Sequence, residues 1–155
     1  MANMDTSGLD ELIRDMQRMG EDASEVAQAM VREAASVIRD AWKESAEKHG
    51  LIDTGAMIES IGYPGPVARI GDALYRDVYP LGKDRKGTRN AEKAFVLNYG
   101  TSRIRPTYWV DEAEDAAAPR VQERLEKIWN DYLETGKIPV TADGGSAGGI
   151  NKVTK

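Results

Sequence analysis

Apolar positions recur at steps of three and four over the first third of the chain. Leu9, Leu12, Ile13, Met16 and Met19 begin the series, and Ala23, Val26, Ala27, Met30, Ala34, Val37, Ile38, Ala41 and Trp42 continue it. This is the period of one helix face, with Glu33, Arg39, Asp40, Lys43, Glu44 and Glu47 mostly on the other side. The spacing predicts a short helix, a break near Gly20–Glu21, and a long helix ending at His49–Gly50. Glycine suits the position just past a last turn, and a histidine cation there complements the helix dipole. Ala23, Ala27, Ala34 and Ala41 would let a partner surface approach closely.

The pattern changes between Leu51 and Thr107. Asp53-Thr54-Gly55 is a turn or cap signal ahead of the short apolar segment Ala56–Ile61. Tyr63-Pro64-Gly65-Pro66 is a strong turn. Val67–Ile70 and Leu74–Tyr79 predict short strands, and Ala94-Phe95-Val96-Leu97-Asn98-Tyr99 predicts another that stops at Gly100-Thr101. Residues 103–109 are expected to be extended, because Pro106 disfavours helix at Arg105. Between Gly82 and Lys93 the chain loses all hydrophobic period and predicts an exposed loop with five basic and two acidic residues.

A last helical period covers Val110–Glu134, with Val121, Leu125, Ile128, Trp129, Tyr132 and Leu133 on one stripe. Pro119 either kinks this helix or opens a second one. The order predicts an α+β fold: a long N-terminal helix and a C-terminal helix packed on a small, mostly antiparallel β-sheet with a long exposed loop. Trp42, Ile38, Phe95, Leu97 or its neighbour Val96, Leu125 and Trp129 are expected to share one core. Residues 1–137 form one domain on this reading, and the Gly- and Ser-rich residues 138–155 form a flexible tail.

Length and charge narrow the picture. A chain of 155 residues buries a real core without metal or disulfide staples. Its net charge of -5 is opposite to that of a protein living on nucleic-acid phosphates. With no cysteine and one histidine, thiol nucleophiles, thiolate zinc sites and histidine-rich metal sites are excluded. His49 is explained by its helix-end position. Asp111, Glu112, Glu114 and Asp115 do not share one face and suit a solvated helix start better than a metal cluster. The glycines of residues 63–66 and 144–149 lack the frame of a phosphate loop, and no GxSxG elbow accompanies a possible triad. No catalytic residue, cofactor site, metal site or small-molecule substrate is expected. No apolar run is long enough for a membrane span, and the acidic, polar N-terminus does not read as a signal peptide.

Lys83, Arg85, Lys86, Arg89 and Lys93 remain as a candidate partner-binding loop. A loop this long is often functional, whereas the plain reading is a solvated segment. It has no aromatic residue to stack on bases. A small intracellular nucleic-acid-binding or adaptor module using residues 82–93 is the alternative function.

Three segments carry a resemblance. They are Asp53-Thr54-Gly55-Ala56-Met57-Ile58-Glu59-Ser60-Ile61, then Ala94-Phe95-Val96-Leu97-Asn98-Tyr99-Gly100-Thr101, then Arg105-Pro106-Thr107-Tyr108-Trp109-Val110-Asp111-Glu112-Ala113. In this order, between two helices, they resemble the neck or tail-completion (head–tail joining) proteins of long-tailed double-stranded DNA bacteriophages, over residues 8–135. That family usually carries Tyr where Ala94 stands and Glu where Asn98 stands. The resemblance implies a structural protein in the virion, assembled in the host cytoplasm. It implies a homo-oligomeric ring, a hexamer, between a head-closure or connector protein and a tail terminator or tail-tube protein, through which genomic DNA passes. It also implies structural roles for Thr54, Gly55, Tyr99, Gly100, Thr101, Pro106 and Trp109.

Overall fold

A computed structural model describes residues 7–51, 55–138 and 151–152. The expected α+β class holds, with long helices at both ends and small, mostly antiparallel sheets between them. Helix α1 spans Ser7–Lys48 and α4 spans Trp109–Thr135. Between them lie α2 (Ala56–Glu59), β1 (Ile61–Gly62), β2 (Ala68–Ile70), β3 (Ala73–Tyr75), β4 (Tyr79–Pro80) and α3 (Asn90–Tyr99). Strands β1 and β4 pair antiparallel, placing Ile61 opposite Pro80. Strand β2 pairs antiparallel with β3 and parallel with β5 (Asn151–Lys152).

Helix α1 ends as the sequence implies. Leu51 N–H donates to the Ala46 carbonyl and Gly50 N–H to that of Glu47, the paired bonds that close a helix C-terminus. The expected break at Gly20 is absent: α1 is one helix of 42 residues. Glycine in a helix interior costs roughly 1 kcal/mol against alanine. The turns that follow recover more, because Val26 is buried with Ile128 and Tyr132 while Met19 and Met30 pack against them.

Helices α1 and α4 run antiparallel. Asp22 meets Tyr132 at 2.9 Å, Glu33 meets Arg124 at 2.7 Å, and Glu44 meets Arg120 at 3.0 Å. Near the far end of α1, Lys48 and His49 reach Glu112. Together these contacts mark the register of the two helices. Close packing comes from Ala41 against Ala113 and Ala117. Burial pushes the Tyr132 hydroxyl to a raised pKa, and its bond to Asp22 adds to the shift.

Helix α1 is covered on two sides. Arg69 of β2 reaches Ser24, and Arg39 of α1 lies over the ring of Tyr63, whose centroid is 3.8 Å from the Arg76 guanidinium. Two covered sides explain why Glu33 is buried although the period puts it on the polar face, while Ala23 is exposed. Among the described residues, no helix is long and apolar enough to cross a membrane.

The core differs from the expected set. It divides into three clusters, and the largest surrounds Trp109 with Ala46, Met57, Ile58, Ile61 and Ala94. Trp42, Leu97 and Ile38 pack against these clusters, but Phe95 is 63% exposed and Trp129 is 40% exposed. Leu125 is half-buried. Trp129 instead rests against the Tyr132 ring at 5.9 Å on the outer side of α4.

Two predictions follow from this arrangement. Trp109→Ala is expected to cost about 3–5 kcal/mol in denaturant unfolding, and Trp129→Ala clearly less; equal losses would contradict the core assignment. Gly20 has open space where a Cβ would lie, so Gly20→Ala should stabilise by about 0.5–1 kcal/mol. A lowered midpoint would show that this turn is not held as helix.

Candidate assembly surface

The segment expected to be a strand, Ala94–Tyr99, is helical and belongs to α3. Its buried positions are Asn90, Ala94 and Asn98, four residues apart, while Phe95 and Tyr99 point outward and pack together at 4.8 Å. The polar asparagines on the inner face reverse the hydrophobic signal. Both are used: the Asn90 amide donates to the Leu81 carbonyl at 2.8 Å, and Asn98 holds the start of α4.

The chain between α3 and α4 is an arm folded back on the end of α3. Gly100 N–H donates to the Val96 carbonyl, both Thr107 N–H and Thr107 Oγ1–H to that of Leu97, and Tyr108 N–H to that of Asn98. Carbonyls that a helix end would leave unpaired are thus taken up by the arm. Thr101 Oγ1 accepts from the backbone of Arg103 and Ile104, and Thr101 N–H donates to the Ile104 carbonyl. Gly100 sits at φ 74°, in the left-handed region. A Cβ there would lie 2.5 Å from the Ile104 carbonyl oxygen and 2.7 Å from Pro106 N. The glycine turn is as expected, though it follows a helix and not a strand.

Tyr108 is left-handed too and offers no side-chain cap to α4. Buried Asn98 supplies one: its Oδ1 accepts the Val110 N–H at 2.9 Å, and its amide donates to Asp111 at 3.0 Å. Trp109 is fully buried, 0% exposed. Its indole N–H donates to the Ala94 carbonyl, and its own carbonyl accepts from Ser45 Oγ at 2.6 Å. Among the other residues singled out in the sequence, Thr54 lies outside the described residues. Gly55, expected in a turn or cap ahead of residues 56–61, caps the start of α2 in a left-handed conformation. Tyr99 and Pro106 are exposed on the arm side.

The basic segment is shorter as a loop than expected, because α3 begins at Asn90 and takes in Lys93. Asp84 organises it. Its carboxylate accepts from the backbone of Lys86 and Thr88 and from the Lys93 ammonium. The Lys93 bond, then the Thr88 bond, holds the Asp84 carboxyl below the usual carboxylate range. What this adds to stability is therefore complete above that range and lost as pH falls through the lowered value. Lys83 and Arg89 face each other across an isolated antiparallel bridge. Lys93 is thus an internal partner of the loop, and Lys83, Arg85, Lys86 and Arg89 are its exposed cations.

Among the described residues, apolar surface is exposed near both ends of α1. Helix α4 ends opposite Arg18, whose guanidinium lies 3.6 Å from the point where a Gly136 Cβ would stand. The turns of α1 before Arg18 run on beyond it, with Leu12, Ile13 and Met16 between 46% and 63% exposed. Near the other end of α1, a groove of about 350 Å³ is lined by Leu51, Met57, Val96, Leu97 and Ile104. Thr88, Glu92 and Lys93 border it, which joins it to the basic loop.

The model of the HK97-gp10-like family, described as "Bacteriophage HK97-gp10, putative tail-component", matches residues 10–102. The chain belongs to this family. No curated protein and no solved structure matches it. Family membership makes it a structural component of a bacteriophage tail, located in the virion. The matched region runs from the overhang of α1 to the turn at Gly100–Ser102, so it contains the groove wall, the loop and the glycine turn. Helix α4 lies beyond it.

Gly100→Ala is expected to destabilise by more than the ~1 kcal/mol typical of a point change, since both the positive φ and the Pro106 backbone oppose a side chain. Calorimetry checks this, with Gly65→Ala as control, because Gly65 has open space around it.

Proposed function

We propose that this tail component assembles as a homo-oligomeric ring, six-fold by family resemblance, at the head–tail junction. There it joins the DNA-filled head to the tail and continues the DNA channel. Its neighbours on this reading are a head-closure or connector protein on one side and a tail terminator or tail-tube protein on the other. Residues 1–137 form the joining domain and 138–155 its tail, and assembly takes place in the host cytoplasm.

The observation that carries this reading is the distribution of exposed surface. Apolar side chains stand uncovered at one end of α1, and an organised basic loop stands beside an apolar groove at the other. Neither is needed to close the core. The chain as a whole is acidic, with a net charge of -5. Such a body repels phosphates and lets duplex DNA slide past without being held, while four exposed cations on one loop can dock on an acidic protein face.

The test uses DNA-filled heads that lack this protein. Purified protein is expected to restore tail joining, counted by electron microscopy. Replacing Lys83, Arg85, Lys86 and Arg89 together by Ser should leave the melting curve nearly unchanged and abolish joining. Full joining by that variant would show the loop to be merely solvated. Tails that join equally well without any protein would end the reading, and a steeply salt-dependent affinity for duplex DNA would favour a nucleic-acid adaptor instead.

A further inference from the structure

Leu9, Leu12, Ile13 and Met16 stand at i, i+3, i+4 and i+7. This is the spacing with which an amphipathic helix fills an apolar groove. Among the described residues, Leu12, Ile13 and Met16 of this stripe are largely exposed. The groove bordered by Leu51, Met57, Val96, Leu97 and Ile104 has a volume in the range of sites that take such side chains.

We propose that the overhanging turns of α1 seat in this groove on a second copy of the chain, head to tail. The inference deepens the ring reading above and rests on it. Its geometric basis is the length of α1. A helix advances 1.5 Å per residue, so Leu12 and the groove beside Leu51 stand roughly 50 Å apart on one rigid element. A chain cannot fill its own groove. Each copy carries one donor end and one acceptor end, which makes the contact heterologous and able to close into a ring.

The overhang carries Glu11 and Asp15 together with Arg14 and Arg18, Asp15 lying 3.7 Å from Arg18, and the border residues Thr88 and Lys93 join the groove to the loop that carries Lys83, Arg85, Lys86 and Arg89. Opposite charges at the rim fix register and speed encounter.

The chain has no cysteine, so single introduced thiols report contacts cleanly. Met16→Cys and Ile104→Cys are made separately, with Glu126→Cys on the exposed side of α4 as control. Under mild oxidation, mixing Met16→Cys with Ile104→Cys is expected to give a disulfide-linked dimer. Each variant alone, and each mixed with Glu126→Cys, should give several-fold less. Charge reversal of the loop cations to Glu should remove the dimer, and reversing Asp10, Glu11 and Asp15 to Lys as well should restore it. A dominant Met16→Cys homodimer, equal yield with the control, or no cross-link at millimolar protein would overturn the proposal. The same pair is oxidised in particles that have been joined in vitro. Joining that depends on the protein but shows no Met16–Ile104 cross-link would sink this contact and leave the ring reading standing.

Discussion

The fold turns on Trp109. Its side chain is wholly removed from water, and the residue ties α4 to α1 and α3. The indole N–H bonds to α3 at Ala94, the ring meets Trp42 of α1 edge-on at 5.6 Å, and its backbone carbonyl accepts from Ser45 of α1. Each polar atom of the residue that enters the core finds a partner there, so burial of a large aromatic surface is not offset by an unpaired donor. Because Trp109 is also the first residue of α4, the same contacts set where that helix starts and how it lies along α1. The Asn98 cap and the folded arm then serve one end: they deliver the chain from the last turn of α3 to Trp109 within a few residues.

Much of this was legible from sequence where the hydrophobic period and the burial agree. Helix α4 follows its stripe within a residue at each end, and α1 ends at the glycine expected. The β2–β3 hairpin also falls where alternating short segments predict it. The misread elements share a physical cause. In α3 the inner face is Asn90, Ala94, Asn98, so the side chains that signal a strand, Phe95, Val96 and Tyr99, are those with least to bury. In α1 the Gly20 penalty was visible and the compensating contacts with α4 were not, because they lie over a hundred residues away in sequence. Asp84 carries no motif signal, and the motif position of Asn98 does not reveal its capping role, since both roles exist only once the backbone donors around them are placed.

Three residues singled out in the sequence acquire a mechanical meaning here. Gly100, Thr101 and Pro106 do not form a site; they form a turn dense enough that a single methyl group would collide with backbone. That rigidity fixes Ile104 at the mouth of the groove and Lys93 at its border, both beside a loop locked by one carboxylate. On the proposed reading this surface would dock on inflexible supports, which would keep the entropy lost on docking small.

The overhang poses the opposite problem. A separate helix of about a dozen residues would be marginal in water, because nucleation is unfavourable and short helices do not recover it. Here nucleation is already complete, since the same helix is held along α4 and the sheet for the rest of its length. The overhang then needs only propagation, one hydrogen bond for each residue ordered. Gly20 sits at the junction between the held and the unheld parts, so fraying from the free end is contained before Val26 and the Tyr132 contact. A contact formed by four side chains of such an extension falls well short of the area of a stable interface. On the ring reading proposed above, single copies would therefore associate weakly and gain strength when the ring closes, because the closing contact is intramolecular.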